Sequence, residues 1–250
     1  MAKGVSIKFK SYSETIPRLL DLLKLQRELK KYDKIVLKPF LSENKEESTP
    51  KEFVESVLKF CLEHKNPVTE VFIAEGTDGF PTEDLFQSYG LSALAEKYQI
   101  GLVDLNTTET ETIEEPNFLK FSQIVYPKIL KNAFLISLPK LLPHEEFGIL
   151  GSLPNMLGAF PANYYRSFFS RTKNKIRKWP IKYSIHDILR CKMPNFTVID
   201  ASTRGVILAG LPFEMDKQAA KLLDKDWQRI PYLNLLHEQF PPEEPKKSNQ

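Results

Sequence analysis

The chain has 250 residues, of which 42% are hydrophobic and 27% charged, and its formal net charge is +3. These fractions are those of an ordinary globular protein with a large core, and a charge of +3 is too small to indicate nucleic-acid binding by itself. The first residues lack the apolar segment of a signal peptide, and no segment approaches the roughly 20 apolar residues of a spanning helix, so we expect a cytoplasmic protein without a membrane partner.

The first half of the chain alternates between strand and helix patterns. Strands are predicted at residues 5–9, 34–38, 68–74 and 100–104, and helices are predicted to begin near Ser13, Thr49 and Thr82. The second helix has a start signal, with Thr49 as N-cap, Pro50 at the first position and Glu52 at the third. Residues 106–117 are polar and acidic, so an exposed loop is predicted there.

The second half continues the alternation. Strands are predicted at residues 121–125, 133–138, 197–200 and 206–209, and helices at about 153–158, 161–170, 183–191 and 215–223. Residues 241–250 are mostly Pro, Glu, Lys, Ser and Gln, which is typical of a disordered tail. The pattern therefore predicts one α/β domain over residues 1–240, with a mostly parallel open sheet and helices on both faces.

Five of the predicted strands end at or just before a charged residue, namely Lys38, Glu75, Asp104, Lys140 and Asp200. Parallel strands bring their last residues to one edge of the sheet, where open α/β sheets bind ligands. Exposure to water would explain a charge at any single strand end. Taken together, the five ends predict a site at this edge.

The segment at residues 138–158 follows a buried strand and is rich in Pro and Gly, as functional loops of α/β proteins often are. Its Lys140 could act on an anion as a point charge, and its His144 could donate or accept a proton near neutral pH, so both are catalytic candidates. A hydrogen-bonded structural role is the alternative for His144. The candidate ligand-binding residues at the same edge are Lys38, Glu75, Asp78, Asn155, Asp200 and Asp216.

Metal chemistry has less support in the sequence. Cys61 and His64 have a Cys-x₂-His spacing, but both lie on one predicted helix with no second pair nearby. The carboxylates at positions 75, 78, 200 and 216 would hold a hard cation only if the fold brought them together. We therefore predict no metal site and no cofactor.

Residues 164–183 contain seven basic residues, six aromatic residues and no acidic residue. Cations interleaved with aromatic rings can contact phosphates and stack on bases, so the segment offers a second hypothesis, binding of RNA or an acidic partner. A solvated helix face whose aromatic side chains pack inward would give the same pattern. The candidate contacts are Arg166, Arg171, Lys173, Lys175, Arg177 and Lys178.

Several short motifs, in this order along the chain, resemble the family called domain of unknown function 362. They are Lys38-Pro39, Thr49-Pro50, the Gly-rich residues 74–79, Pro139-Lys140 with His144, Asn155 with Gly158, His186-Asp187, Asp200, and residues 207–216. The resemblance covers roughly residues 34–240 and implies an α/β fold. The family is largely uncharacterised, so the resemblance implies no particular reaction.

The chain also departs from the family's pattern. Many members carry a cysteine module for iron–sulfur clusters, whereas this chain has only two cysteines, Cys61 and Cys191, too few for one Cys₄ cluster. Pro154 stands where the family has a lysine before its asparagine, and the Gly-rich loop after Asp200 is nearly absent.

The sequence therefore predicts an α/β protein that binds a small anionic or phosphorylated ligand at the carboxyl edge of its sheet. It leaves open whether the site is catalytic, what the substrate is and how many subunits assemble. The alternative is a non-catalytic protein that binds RNA or an acidic partner through residues 164–183.

Overall fold

The computed structural model describes residues 4–240, and the tail predicted at residues 241–250 lies outside the described residues. Strands in this part of the chain form one large sheet and two small ribbons. They are β1 (Gly4–Lys8), β2 (Lys34–Pro39), β3 (Glu70–Glu75), β4 (Gly101–Asp104), β5 (Thr110–Ile113), β6 (Ile124–Pro127), β7 (Phe134–Leu138), β8 (Leu142–His144), β9 (Gly148–Leu150), β10 (Phe196–Ala201) and β11 (Val206–Gly210).

The large sheet has the strand order β1-β11-β10-β7-β2-β3-β4. The five strands from β10 to β4 are mutually parallel, and β11 and β1 complete one side in antiparallel pairing. The mostly parallel open sheet is thus confirmed. The chain continues from β2 to β3 on one side, while β7 lies on the other side of β2. The β2–β7 boundary is therefore a switch point, where such sheets form ligand crevices.

Helices cover both faces of the sheet. They are α1 (Tyr12–Leu22), α2 (Gln26–Leu29), α3 (Lys51–His64), α4 (Thr82–Ser88), α5 (Leu91–Tyr98), α6 (Lys128–Lys131), α7 (Ala162–Tyr165), α8 (Ile181–Cys191), α9 (Pro212–Leu222) and α10 (Pro231–Gln239). None of the helices within residues 4–240 is long and apolar enough to cross a membrane.

Alternate residues of the central strands belong to two separate hydrophobic cores. Ile35 and Leu37 of β2 pack with α1, α3, α4 and α5, whereas Val36 packs with α8, α9 and α10. The amino-acid sequences of these strands are therefore almost continuously apolar, as is typical of a sheet that is buried on both faces. With both faces covered by helices, the carboxyl edge of the parallel strands is left for a site.

The predicted helix caps were wrong in detail. Ser11, not Ser13, accepts the capping bond of α1 from the Glu14 amide. Pro50 is the N-cap of α3, and Thr49 has a different use. The Thr49 hydroxyl accepts a hydrogen bond from the Phe40 amide (2.9 Å) and donates to the carbonyl of Leu138 (2.6 Å). It therefore joins the ends of β2 and β7, which border the switch point.

Two other segments also differ from the prediction. Residues 106–117 contain strand β5, because antiparallel pairing with β6 satisfies its backbone in an otherwise polar stretch. The helix predicted at 161–170 ends at Tyr165. Beyond it, the Ser167 amide donates to Oδ1 of Asn174 (2.9 Å), and this side-chain bond replaces the next helical one.

Candidate functional site at the carboxyl edge of the sheet

A cleft of about 170 Å³ lies at the carboxyl edge of the parallel strands, close to the switch point. Its walls are the segments that follow β2, β3 and β7, together with the short 3-10 helix Pro154–Ala159 and residues 173–177. Phe40, Leu41, Phe147, Leu157 and Ile176 form apolar parts of the wall. The polar residues are Ser42, Glu75, Thr77, Asp78, His144, Asn155, Lys173 and Arg177.

A buried ion pair forms the floor beneath the cleft. Nζ of Lys38 donates to both carboxylate oxygens of Glu75, at 2.9 and 2.8 Å, and the two residues are 0% and 2% exposed. Burial lowers the pKa of Lys38, and the charge of Glu75 opposes that shift. The two strand-end residues thus meet at one edge because β2 and β3 are neighbouring parallel strands.

Asn155 fixes the ion pair to the rest of the sheet. Its Oδ1 accepts from Nζ of Lys38 (3.1 Å), while its Nδ2 donates to the Lys38 carbonyl and to Oγ of Ser137, both at 3.0 Å. Asn155 is only 2% exposed, so these bonds hold its amide in one orientation.

Two glycines allow the backbone to pack against this pair. A Cβ atom on Gly158 would lie 2.3 Å from Oε1 of Glu75 and 2.6 Å from Nζ of Lys38. A Cβ atom on Gly76 would lie 2.4 Å from the Gly158 carbonyl oxygen. Both positions therefore need glycine, because a side chain there would prevent this close approach of the backbone.

Lys173 is a second buried lysine at the cleft. It is 1% exposed, and its Nζ donates to the carbonyls of Gly76 (2.7 Å) and Gly158 (3.1 Å). Its amide also donates to Oδ1 of Asp78 at 2.6 Å. Burial lowers the pKa of Lys173 to about 7, against the opposing charges of Glu75 and Asp78. This amine can therefore hold or release a proton near neutral pH.

Arg177 stands at the side of the cleft between two carboxylates. Its Nη1 donates to Oδ2 of Asp78 (2.7 Å) and its Nε donates to Oε2 of Glu146 (3.3 Å). The Arg177 side chain remains 36% exposed. A guanidinium has five N–H donors, so three further donors are left for a ligand that enters the cleft.

His144 lies at the cleft on the hairpin formed by β8 and β9. Its ring stacks on Phe147, with centroids 3.5 Å apart, and its Nδ1 faces the Glu146 amide at 3.1 Å. Because that amide donates, Nδ1 accepts and the proton of the neutral ring is on Nε2. Burial lowers the pKa of His144, with the nearby glutamates opposing the shift, which favours the neutral form.

Lys140 and Asp200 lie at the same edge of the sheet but outside the cleft. They face each other across an isolated parallel bridge, and Nζ of Lys140 donates to the carbonyl of Glu46. Asp200 accepts from the hydroxyl of Tyr12 (2.9 Å) and the amide of Ser202 (3.0 Å). Neither residue lines the cleft, because these contacts use their polar groups elsewhere.

Asp216 is buried beneath the loop that leads into the 3-10 helix. It accepts from the amides of Ser152 (2.6 Å) and Leu153 (3.0 Å) and from the hydroxyl of Tyr232 (3.0 Å). Burial raises the pKa of Asp216 to about 7, while these three donors oppose the shift. Its contacts are those of a residue that holds the loop, and it does not reach the cleft.

The basic–aromatic segment does not form one continuous cationic face. Lys173 and Arg177 belong to the cleft, and Nζ of Lys175 donates to the carbonyl of Tyr164 (2.9 Å). Of the six basic candidates in this segment, those that are exposed outside the cleft are Arg166, Arg171 and Lys178.

Lys173 and Arg177 were expected at a nucleic-acid surface, not in the cleft. Nothing in the local sequence separates Lys173 from its basic neighbours, because the carbonyl that it contacts is 97 residues away in the chain. Thr77, by contrast, lies in the Gly-rich element at residues 74–79, between the candidate ligand-binding residues Glu75 and Asp78. Within residues 4–240 no group of three or more His, Cys, Asp or Glu side chains could hold a metal ion.

Fold and site together define an α/β protein with a small polar cleft at the carboxyl edge of a mostly parallel sheet. The model of the family described as Domain of unknown function (DUF362) matches residues 35–206, and the chain belongs to this family. The resemblance inferred from the motifs is thereby confirmed. No curated protein matches the chain in sequence.

A solved structure has a similar fold. It is the lactate racemase apoprotein from Thermoanaerobacterium thermosaccharolyticum, with a TM-score of 0.55 and 15% sequence identity. The match covers 88% of this chain and 57% of that chain, so the chain spans little more than half of its length. At this identity the likeness extends to the fold alone.

Proposed function

We propose that this protein binds a small anionic or phosphorylated ligand in the cleft at the carboxyl edge of its sheet. The observation that carries the proposal is the presence of Lys173, Arg177 and His144 around one small cleft beside the switch point. Its volume of about 170 Å³ suits a ligand of few heavy atoms, well below the roughly 300 Å³ at which pockets for drug-sized molecules begin.

Each polar group has a distinct role in this proposal. The free donors of Arg177 contact the anionic group of the ligand, since a planar guanidinium fits a carboxylate or phosphate. The Nε2–H of His144 donates a further hydrogen bond. Lys173 and His144 would transfer protons if the ligand reacts, and the ion pair of Lys38 with Glu75 keeps the floor rigid. Lys140 has no role here, because its Nζ bonds to a carbonyl outside the cleft.

The similar fold suggests one specific probe. Lactate, which the name of the lactate racemase apoprotein gives as that enzyme's substrate, is a small carboxylate of a size that suits the cleft. Inorganic phosphate is a second probe, because the proposal covers both anion classes. Activity on lactate is a proposal to be tested, and the binding proposal does not depend on it.

The test is titration of the purified chain with phosphate and with lactate by isothermal calorimetry, after native mass spectrometry for a retained ligand. Arg177→Gln should weaken binding by about 1.5–3 kcal/mol, the typical loss of a charge-assisted hydrogen bond. His144→Ala should weaken it with little change in stability. Lys178→Gln is the matched control, because it removes a neighbouring exposed charge that does not line the cleft.

Two results would contradict the proposal. One is that no small anion is retained or bound. The other is that Arg177→Gln and Lys178→Gln have equal effects, which would mean that the binding is a general surface effect. Loss of binding in Lys140→Ala but not in Arg177→Gln would indicate that the anion binds at Lys140, the candidate named from the sequence, and not in the cleft.

A further inference from the structure

Two phenylalanines at the surface form the most exposed apolar feature of the described chain. Phe168 and Phe169 are 95% and 97% exposed, and their rings lie 5.0 Å apart in an edge-to-face arrangement. They occupy the centre of a β-turn that the Ser170 amide closes by donating to the Ser167 carbonyl (3.0 Å). Gly, Pro, Asn and Asp favour such turns for local reasons, and phenylalanine has none of them. The turn itself therefore gives no reason for two phenylalanines at these positions.

The turn is held in place by a polar base. Oγ of Ser167 donates to Oδ1 of Asn174 (3.1 Å) and accepts from its Nδ2 (2.8 Å). Oγ of Ser170 accepts from the Thr172 amide at 3.1 Å. These bonds fix the turn from behind without any contact from the phenylalanines, so the two rings project from a preformed base.

Two positive charges stand beside the turn. Arg166 and Arg171 flank the turn on either side and are exposed, and residues 164–183 contain no acidic residue. Among residues 4–240, the ion pairs that this segment makes are those of Arg177 with Asp78 and Glu146. The two flanking arginines are therefore available to an anionic partner.

We propose that the turn Ser167–Ser170 is an anchor for an anionic lipid surface, with Phe168 and Phe169 inserted among the lipids and Arg166 and Arg171 bound to their phosphates. The favourable free energy of burying an apolar ring is proportional to the area removed from water. Almost fully exposed rings therefore gain most from an environment that surrounds them. A nucleobase stacked on one ring would cover a single face and leave the other in water. Arginine side chains can keep their charged ends at the lipid headgroups while their stems lie along apolar surface.

The turn lies beside a groove that borders the cleft. Arg166 and Arg171 line this groove with Asp104 and Thr77, and Thr77 also lines the cleft. A chain anchored by this turn would therefore hold the carboxyl edge of its sheet near the lipid surface. Such contact lies on the membrane surface, so it requires no spanning helix. It also differs from the sequence-based expectation of no membrane partner.

Flotation of the purified chain with vesicles tests the proposal. We expect binding to phosphatidylcholine vesicles that contain phosphatidylserine, and much weaker binding to phosphatidylcholine alone. The double variant Phe168→Ser/Phe169→Ser should reduce partitioning by about tenfold or more, from the apolar area that no longer inserts. Arg166→Gln and Arg171→Gln should each reduce it by about fivefold at low salt. Val68→Ser and Arg204→Gln are matched controls at exposed sites elsewhere and should have no effect.

Insertion of the two rings among the lipids can be measured separately from vesicle binding. Tryptophan fluorescence of the Phe169→Trp variant should be quenched by brominated lipids more strongly than that of Val68→Trp. Absence of vesicle binding, or equal losses in Val68→Ser and the double variant, would overturn the proposal. Binding of single-stranded RNA or self-association that requires the phenylalanines, without vesicle binding, would also overturn it and would identify a different partner.

Discussion

The buried ion pair of Lys38 and Glu75 offers the sharpest test of the site. Glu75→Gln keeps the shape of the side chain but leaves the Lys38 ammonium, which is 0% exposed, without an opposite charge. Removing one partner of a buried pair typically costs about 3–5 kcal/mol, because the remaining charge stays desolvated. Lys38→Met should cost a similar amount, since it leaves the Glu75 carboxylate with the Gly76 amide (2.7 Å) as its remaining donor.

The double variant Lys38→Met/Glu75→Leu should be far more stable than the sum of the single effects predicts. Replacing both charges by apolar groups removes the desolvation penalty together with the attraction, so the coupling free energy should exceed about 2 kcal/mol. The exposed pair of Lys10 and Glu14, at 2.6 Å with side chains 61% and 53% exposed, is the control. Glu14→Gln should cost less than about 1 kcal/mol.

Urea unfolding followed by circular dichroism measures all of these changes, provided that the slope with denaturant is the same in each variant. The pH dependence adds an internal check. Because burial lowers the pKa of Lys38, the folded state releases this proton more readily than the unfolded chain, so the cost of Glu75→Gln should shrink as the pH rises. A cost in Glu75→Gln no larger than that in Glu14→Gln would refute the argument, because the pair would then be solvated.

Three further predictions concern the surroundings of the pair. Gly158→Ala should destabilise the fold by about 1–3 kcal/mol in urea unfolding, since its Cβ would overlap Glu75; an unchanged midpoint would contradict the packing. Burial lowers the pKa of Lys173 from 10.5 to about 7, so the unfolded chain binds this proton more tightly than the folded protein does. As the pH is raised from 7 to 10.5, the free energy of unfolding should therefore increase by up to about 4 kcal/mol more in the wild type than in Lys173→Met. Lys178→Met should keep the wild-type profile, and parallel profiles for all three proteins would contradict the shift. Asp216→Asn should lower stability by about 1–3 kcal/mol at neutral pH, because an amide nitrogen would face a donor, and an unaltered melting temperature would argue against those contacts.

The sequence by itself determined the class of fold and the edge at which to look. Apolar runs such as that of β2 are local patterns, and parallel strands must end at a common edge, so the meeting of Lys38 and Glu75 followed from their positions as strand ends. The order of the motifs likewise indicated the family, which the family match over residues 35–206 confirmed. These conclusions needed only periodicity along the chain and the geometry of parallel sheets.

Only the tertiary structure decided which polar residues line the cleft. Lys140 and Asp200 also lie at the carboxyl edge of the sheet. Their side chains nevertheless form hydrogen bonds with Glu46 and Tyr12 outside the cleft. Lys173, in a segment that resembled a solvated basic face, is instead buried against carbonyls brought to it from 97 and 15 residues away. Whether a lysine is solvated or buried depends on long-range partners that satisfy its donors, and no pattern within a few residues of the chain records where those partners will lie.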